Sequence, residues 1–303
     1  MSPILGITLG DPGGIGPAVV AAALRQIPTP LTVSLFGANA LFPLFADITH
    51  HHITPIHCAD VSVPLVHAPC PHNGAASHAF LTTAVNHYHN GHITHLITAP
   101  ICKEAWHEAG ITDMGHTDAL QRLTQTHHVS MAFYTPTLKT ILSTIHIPLM
   151  EVASHLTPTL LHQTISHAHL FCQQLGILCP KIAVAGLNPH AGENGLMGSE
   201  ESWIASCIQS ASVQASGPFA PDTLYYRAAQ GEFDIVVSLY HDQGLIPIKL
   251  IGFHDAVNVT VGLPFIRTSP DHGTAFALAR ENKPINPSSM IAAIQLALTL
   301  TPS

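Results

Sequence analysis

The 303-residue sequence predicts an α/β fold built on a largely parallel sheet. Short apolar runs alternate with segments of helical periodicity along most of the chain. Hydrophobic residues make up 47% of the sequence and charged residues only 9%, which is typical of a chain that buries a large core. Strands that alternate with helices indicate β-α-β units, in which crossover helices join parallel strands.

The predicted elements follow in order from the N-terminus. Ile4–Leu9 has the composition of a buried strand, and Pro17–Arg25 has helical periodicity with a proline at its first turn. The other predicted strands are the short apolar runs Leu31–Phe36, Leu96–Ala99, Met131–Tyr134, Thr140–Ile145, Ile182–Gly186, Ile235–Leu239 and Val257–Val261. The other predicted helices are Ala75–His89, His116–Thr126, Pro158–Leu175, Glu200–Gln214, Gly273–Arg280 and Pro287–Leu300. The segment from Val129 to Thr260 is long enough to form a second α/β lobe.

Charge and hydropathy argue against two classes of function. The net charge of −8 argues against nucleic-acid binding, which needs a surplus of Lys and Arg. Polar residues and prolines interrupt every apolar run before it reaches the length that spans a bilayer, and the N-terminus shows no basic leader. We therefore expect a cytoplasmic protein that binds neither nucleic acid nor membrane.

The cysteines and the histidines of the chain support different conclusions about metal sites and disulfides. The six cysteines form no CxxC pair, so we expect reduced thiols rather than disulfides or a zinc knot. The 24 histidines make chance pairings common, so a metal site can be argued only from where a histidine falls in the fold. The sequence also lacks the GxSxG, HExxH and Walker motifs, which leaves hydrolase chemistry with little support.

Two histidines follow predicted strands directly. His190 comes after the strand that ends at Gly186, and His241 comes after the strand that ends at Leu239. Ligands of open α/β sheets gather beyond the carboxyl ends of the strands, and imidazole is the commonest metal ligand. We expect Asp242 to be either a further ligand or an outer partner that orients one. His146, in the run Ser143–Pro148, is a third candidate, although a single histidine in such a run is more often a hydrogen-bonded core residue.

Two glycine-containing loops are candidates for anion binding. Gly10–Pro17 links a predicted strand to a helix, but its spacing is not GxGxxG, so a tight structural turn is about as likely as ligand contact. Gly115 precedes His116, Thr117 and Asp118 at the start of a predicted helix. These residues suit either phosphate binding or ordinary capping of the helix, and capping is the more frequent role.

Cations in apolar surroundings indicate a bound anion. Only ten residues of the chain are Lys or Arg. Lys249 lies in the apolar run Ile246–Ile251, Arg267 lies beside hydroxyl residues, and Asn258 falls between them. An unpaired buried cation is costly, whereas Arg and Lys bind phosphate and carboxylate well. The alternative is internal pairing of these cations with Asp or Glu.

These motifs, taken in order, resemble the 4-hydroxythreonine-4-phosphate dehydrogenase family of pyridoxal phosphate biosynthesis. The resemblance extends from the N-terminus to about residue 275. The matching stretches are Gly6–Pro17, Thr98–Lys103, Gly115–Asp118, Asn188–Glu193, Asp222–Thr223, Tyr240–Gly244 and Asn258–Gly273. The blocks Asn-Pro-His-Ala-Gly-Glu and His-Asp-Gln-Gly are specific in combination, although neither is specific alone.

The resemblance implies a fold of two α/β/α lobes with a central cleft, similar to isocitrate and isopropylmalate dehydrogenases. The first lobe would comprise residues 1–128 and 265–303, and the second, with most metal ligands, residues 129–264. The resemblance also implies a homodimer whose active site takes residues from both subunits.

The resemblance further implies roles for individual residues. The expected metal ligands are His146, His190 and His241. The expected substrate contacts are His116, Thr117, Lys249, Asn258 and Arg267. Asp222 and Asp242 fall on acidic positions in or beside the site, and Asp242 and Lys249 are both candidates for the general base.

The implied reaction is a metal-dependent oxidation of 4-phosphohydroxy-L-threonine linked to NAD or NADP. The metal would be zinc, magnesium, manganese or cobalt, and three imidazoles favour zinc or cobalt. A first alternative is a sister dehydrogenase that acts on 4-phospho-D-threonate, 4-phospho-D-erythronate or a cyclic diol. A second alternative is a non-catalytic metal- or ligand-binding protein.

The sequence departs from the family pattern at two places. The family continues its first loop with Gly-Pro-Glu, whereas Ala18 follows Gly16-Pro17 here. The stretch Asn194–Gly198 also differs from the family pattern. The first departure removes a carboxylate near the loop, and neither departure affects the expected metal ligands.

Overall fold

A computed structural model describes residues 3–302 and shows an α/β chain, so the predicted fold class is confirmed. Its strands are β1 Leu5–Thr8, β2 Thr32–Gly37, β3 His52–His57, β4 His95–Thr98, β5 Ser130–Tyr134, β6 Lys139–Leu142, β7 Ile182–Ala185, β8 Ala215–Phe219, β9 Ile235–Ser238, β10 Val257–Val261 and β11 Ile266–Pro270.

The α-helices complete the alternating pattern. They are α1 Gly16–Gln26, α2 Pro71–His89, α3 Lys103–Glu108, α4 His116–Thr124, α5 Val152–His155, α6 Pro158–Gln174, α7 Glu200–Gln209, α8 Pro221–Ala229, α9 His241–Gly252, α10 Phe276–Arg280 and α11 Ser288–Thr299. Three 3₁₀ segments are Asn39–Phe45, Leu149–Glu151 and Pro189–Gly195. Proline occupies the first turn of α1, α2, α6 and α8, where its missing N–H has no helical partner to lose.

The chain forms two compact units. The first contains the described residues up to His127 together with Leu263–Thr299. Its strands lie in the order β3-β2-β1-β4-β11, and every pair of neighbours is parallel. Phe36, Phe80 and Trp106 are among its fully buried side chains. The carboxyl ends of β1, β4 and β11 therefore meet at one edge, where their loops carry polar residues.

The second unit contains His128–Gly262 and the described residues from Leu300 onward. Its strands lie in the order β10-β5-β6-β9-β7-β8. The pairs β10–β5 and β5–β6 are antiparallel, and the remaining neighbours are parallel. Buried apolar residues such as Phe133, Val236 and Ile248 form its core. The neighbouring strands β7 and β9 are followed, at their carboxyl ends, by His190 and His241.

Several predicted elements were wrong or missed. β3, β8 and β11 were not predicted as strands; β3 has little buried surface, and β8 contains Gly217 and Pro218, which are poor strand residues. The predicted helix Glu200–Gln214 ends at Gln209, and the predicted strand Thr140–Ile145 ends at Leu142.

The helix α9 was also missed. Gly244 and Pro247 lie inside it, and both residue types oppose a helix interior. As a consequence Lys249 lies on a helix and is partly exposed, whereas its apolar run Ile246–Ile251 had indicated a cation in apolar surroundings.

No helix within residues 3–302 combines the length and the apolar character that a bilayer-spanning segment requires.

Candidate active site

Two of the three expected metal ligands lie together in the second unit. The ring centroids of His146 and His241 are 5.6 Å apart. His146 lies in the loop after β6, and His241 is the first residue of α9, directly after β9. Because β6 and β9 are parallel neighbours, their carboxyl ends bring these two loops to the same place. A cavity of about 260 Å³ is lined by both imidazoles together with Tyr240 and Asp242.

Asp242 fixes the orientation of the His241 ring. Its Oδ1 lies 2.7 Å from His241 Nδ1, and in the neutral tautomer that donates to this carboxylate, Nδ1 carries the proton. That tautomer leaves Nε2 with its lone pair available to a metal ion. Of the two roles that the sequence allows for Asp242, a contact of this kind is what an outer partner would make, and that role stays a prediction.

His190 has an unusual backbone environment. Five consecutive residues, from His190 to Asn194, have φ between 44° and 77°, and only Gly192 among them is a glycine. Left-handed backbone costs energy for other residues, so the surrounding structure must hold this turn in place. Glu201 contributes by accepting the backbone N–H groups of Leu187 and Asn188 at 3.0 and 2.7 Å. The His190 side chain is exposed.

The buried residue Gln243 ties the two histidine-bearing strand ends together. Its Nε2 donates to the Gly186 carbonyl at 2.8 Å, and its Oε1 accepts the Leu239 N–H at 2.7 Å. These bonds couple the end of β7 to the end of β9. Sequence reasoning did not assign Gln243 a role, although its position inside the His-Asp-Gln-Gly block was the available signal.

The described part of one chain does not complete a three-imidazole site. Among residues 3–302, no three His, Cys, Asp or Glu side chains are grouped so that they could hold a metal ion. His146 and His241 are brought together, and His190 is not grouped with them. The donor set that one chain offers is therefore a pair of imidazoles with one of them oriented by a carboxylate.

The other expected residues of the second unit lie apart from one another. Lys249 is two turns beyond His241 on α9. Asn258 lies on β10 opposite Phe133, and its Oδ1 is buried without a hydrogen-bond partner among the described residues. Asp222 is an exposed residue in the first turn of α8. Asp222 suits the positive end of the helix dipole, and no ion pair in the described part of the chain joins it to the imidazoles.

In the first unit, Arg267 and His116 form the core of a cationic cluster. Arg267 lies on β11 with 3% exposure, and its Nη2 donates to Thr98 Oγ1 on the neighbouring strand β4 at 2.6 Å. Burial lowers the pKa of the Arg267 guanidinium to about 10, so it remains charged at neutral pH. Burial, reinforced by the positive charges of Arg267 and Lys103, lowers the pKa of His116 well below its usual value. His116 is therefore a neutral imidazole beside fixed positive charge.

His116 and Thr117 form the first turn of α4, and the loop before them is anchored. Asp113 accepts two hydrogen bonds from the Arg122 guanidinium at 2.9 and 2.6 Å, and Nε2 of His78 lies 3.2 Å from the same carboxylate. The Arg122 contact holds the pKa of Asp113 below its usual value. Nε2 of His116 is buried and has no hydrogen-bond partner within residues 3–302, which leaves it available to a ligand.

The first loop is a structural turn rather than an anion cradle. The N–H of Gly13 donates to Asp11 Oδ1 at 2.9 Å, and the N–H of Ile15 donates to the Thr274 carbonyl at 2.9 Å. Gly10 has φ +69°, and a Cβ at this position would lie 2.3 Å from the Pro100 carbonyl oxygen, so only glycine fits. Of the two interpretations of this loop, the geometry supports the turn, because its N–H groups already have partners.

Asp11, fully buried in this turn, should make stability depend on pH. Burial raises its pKa from 3.8 to about 6, so the folded state retains a proton that the unfolded chain loses above pH 4. This proton stabilises the folded state fully below pH 4. As pH rises towards 6 that stabilisation is lost, and the free energy of unfolding falls by about 3 kcal/mol. Asp11→Asn cannot ionise, so its melting temperature relative to wild type should rise between pH 4 and pH 7. The control is Asp60→Asn at an exposed carboxylate. A difference between Asp11→Asn and wild type that stays constant with pH would contradict the assignment.

A second cavity, of about 410 Å³, lies in the first unit beside this turn. Apolar residues such as Ile15, Leu41 and Leu278 line it, and Lys283 contributes a cation that is paired with Glu281 at 2.6 Å. Ala18 is exposed on its wall. The departure from Gly-Pro-Glu therefore changes this cavity and leaves the imidazole pair of the second unit untouched.

Comparison with known proteins assigns the chain to a family. The model of the family described as pyridoxal phosphate biosynthetic protein PdxA matches residues 18–297. The chain belongs to the PdxA family. A 4-hydroxythreonine-4-phosphate dehydrogenase from Desulforapulum autotrophicum is 41% identical over 97% of this chain and 94% of its own length. A D-threonate 4-phosphate dehydrogenase from Pectobacterium atrosepticum is 38% identical over 99% of this chain and 100% of its own length.

A solved structure agrees with this assignment. The crystal structure of 4-hydroxythreonine-4-phosphate dehydrogenase from Klebsiella pneumoniae has a TM-score of 0.87 at 35% identity, and the match covers 98% of this chain and 100% of that one. The predicted family is confirmed, and this PdxA-family member is an oxidoreductase. The interpretation as a non-catalytic binding protein is not supported.

Proposed function

We propose that this PdxA-family protein catalyses the metal-dependent, nicotinamide-linked oxidation of 4-phosphohydroxy-L-threonine. The product, 2-amino-3-oxo-4-phosphohydroxybutyrate, loses carbon dioxide to give 3-amino-2-oxopropyl phosphate. The observation that carries the proposal is the pairing of His146 with His241, whose ring Asp242 orients. The names of its relatives support the substrate class.

The imidazole pair fits a divalent metal ion in the chemistry of its donors. His146 and His241 would hold the ion, and His190 is the third expected donor. Imidazole donors favour zinc or cobalt over magnesium. A metal bound here would supply Lewis-acid stabilisation of the negative charge that develops on the substrate oxygen.

The protein's own groups move the proton and position the substrate. A bound nicotinamide would accept the hydride of the carbinol carbon, and a base of the protein would accept the hydroxyl proton. The candidates for this base are Asp242, which contacts His241, and Lys249, which lies two turns further along α9. Arg267, His116 and Thr117 would bind the phosphate and fix the position of the reacting carbon.

The cofactor has a suitable place in the first unit. The 410 Å³ cavity beside the first loop has the size and apolar lining of a site for a small ligand. We assign it to the adenosine end of NAD or NADP. Exposed Ala18 on its wall leaves room there that a glutamate side chain would fill.

The active form is proposed to be a homodimer with a shared site. Ile246 and Leu250 of α9 and Phe253, the residue that caps its C-terminus, are spaced four and three residues apart and are 66%, 84% and 69% exposed. Residues at this spacing share one helix face, and exposed apolar faces mark interfaces. Asp242 and Lys249 lie beside this face. A second copy packed on α9 would cover it and would supply a further metal donor to the pair that residues 3–302 of one chain provide.

The substrate assignment has one close alternative. Relatives named D-threonate 4-phosphate dehydrogenase are nearly as similar as those named 4-hydroxythreonine-4-phosphate dehydrogenase, at 38% against 41% identity. The two substrates share the phosphate and the secondary alcohol, so the imidazole pair and the cationic cluster suit both. 4-Phospho-D-erythronate and cyclic diols belong to the same alternative.

Parallel assays of NAD reduction separate these substrates. We expect 4-phosphohydroxy-L-threonine to give the highest kcat/KM, and unphosphorylated 4-hydroxythreonine to give little turnover because it lacks the anion that Arg267 would bind. Turnover of 4-phospho-D-threonate alone would show that the substrate assignment is wrong, while the family-level activity would stand. The same series with NADP identifies the preferred cofactor.

A further inference from the structure

Lys103 is a cation of the first unit that lies beside the cationic cluster and has not yet been given a role. Lys103 begins α3, in the connection that leaves β4 after Thr98. Its Cε lies 3.2 Å, and its Nζ 3.9 Å, from the point that a Cβ on Gly115 would occupy. Gly115 directly precedes His116, so the Lys103 side chain lies across the start of α4.

Lys103 differs in its pairing from four other cations of the chain. Arg25, Arg122, Arg227 and Lys283 each form an ion pair with a neighbouring carboxylate. No carboxylate within residues 3–302 forms an ion pair with Lys103. The acidic residue closest along α4, Asp118, uses its Oδ2 to accept the Met114 N–H. The positive charge of Lys103 is therefore not neutralised by an ion pair within residues 3–302.

The charges of Lys103 and Arg267 act on the same group. Both interact electrostatically with His116, whose Nε2 is buried and has no hydrogen-bond partner among residues 3–302. Two cations, one neutral imidazole and the N-terminal turn of α4 thus converge on one place. Such a set suits a doubly charged oxyanion, for which Arg offers a planar fork and Lys a movable point charge.

We propose that Lys103 is a further anion-binding residue, which contacts the phosphate that His116 and Arg267 receive. Gly115 belongs to the same site, since even a Cβ there would lie 3.2 Å from Lys103 Cε and would press on the end of the lysine side chain. The inference rests on the proposed function for the identity of the substrate, but not for the existence of the phosphate site. An acetate-sized carboxylate would satisfy only part of this donor set.

Calorimetric titration with inorganic phosphate tests the proposal on the full-length protein. Lys103→Met keeps the length of the side chain and removes its charge, and should weaken phosphate binding about tenfold or more, as expected for a lost charge-assisted hydrogen bond. Lys103→Arg should bind phosphate nearly as well as wild type. Gly115→Ala should weaken phosphate binding even though Lys103 is still present. Lys181→Met, at an exposed lysine of the second unit, is the matched control and should behave as wild type.

The outcomes separate this inference from the proposed function, because the titration needs neither cofactor nor turnover. Equal phosphate affinity in wild type and Lys103→Met would overturn the inference, and so would absence of phosphate binding to wild type or stronger binding of acetate than of phosphate. If phosphate binding depends on Lys103 but wild type oxidises no phosphorylated hydroxy acid, the proposed function fails and the phosphate site stands.

Discussion

Leu250→Asp is expected to leave the protein monomeric and to lower kcat/KM by about a hundredfold or more. Leu250 is 84% exposed at the centre of the apolar face of α9, and His241 begins the same helix. A carboxylate buried at the centre of an interface typically costs more than about 2 kcal/mol of association, and each 1.4 kcal/mol is roughly a factor of ten. Because residues 3–302 of one chain group only two imidazoles, separation of the subunits should remove the complete metal site.

Analytical ultracentrifugation and kinetics on the same samples measure this effect. Leu178→Asp is a matched control, since Leu178 is 73% exposed in the same unit but follows α6 rather than lying on α9. The control should remain dimeric and active. A Leu250→Asp protein that is monomeric and fully active would show that the site is complete in one subunit. A variant that stays dimeric would place the interface elsewhere.

His241→Ala is expected to lower kcat by roughly a hundred- to a thousandfold, the loss of several kcal/mol of charge stabilisation. The far-ultraviolet circular dichroism and melting temperature should stay close to wild type, because the His241 side chain is partly exposed. Asp242→Asn should have a smaller effect, about ten- to a hundredfold on metal affinity, since it alters only the orientation of the ring. His72→Ala, at an exposed histidine of α2, serves as control. Unchanged turnover by His241→Ala would rule out this imidazole as a ligand.

The placement of the imidazoles could be predicted in part from sequence. Apolar runs identify the strands β7 and β9, and residues just past parallel strand ends gather at one edge, which distinguishes His190 and His241 from most other histidines of the chain. His146 also directly follows a predicted strand, Thr140–Ile145, but a single histidine in its run Ser143–Pro148 is more often a core residue. The parallel pairing of β6 with β9, which places it 5.6 Å from His241, is a tertiary feature.

The helix α9 shows where local rules fail. Gly244 and Pro247 argue against a helix, yet Gln243 bonds to both neighbouring strand ends and Ile248 is buried in the core. Tertiary contacts therefore outweigh the local preference. Once the segment is helical, Lys249 lies beside the exposed apolar face, which explains its apolar sequence neighbours without burying its charge.

Two further features depend on long-range contacts. The positive-φ run from His190 to Gly195 has glycine at only two of its six positions, so composition does not predict its length, and Glu201 is among the residues that hold it. The cationic cluster draws on Thr98, Lys103, His116 and Arg267, whose positions span most of the chain. The sequence groups Arg267 with Lys249 because they are close along the chain, but the two lie in different units.

Metal analysis combined with chelation tests the central claim, that paired imidazoles hold a catalytic divalent ion. Elemental analysis of the purified wild type should find a bound divalent ion, and chelation should remove both the ion and NAD-dependent turnover of 4-phosphohydroxy-L-threonine. Addition of zinc or cobalt should restore turnover in wild type, whereas His241→Ala should bind little metal and regain none. Full turnover by metal-free wild-type protein would contradict the account.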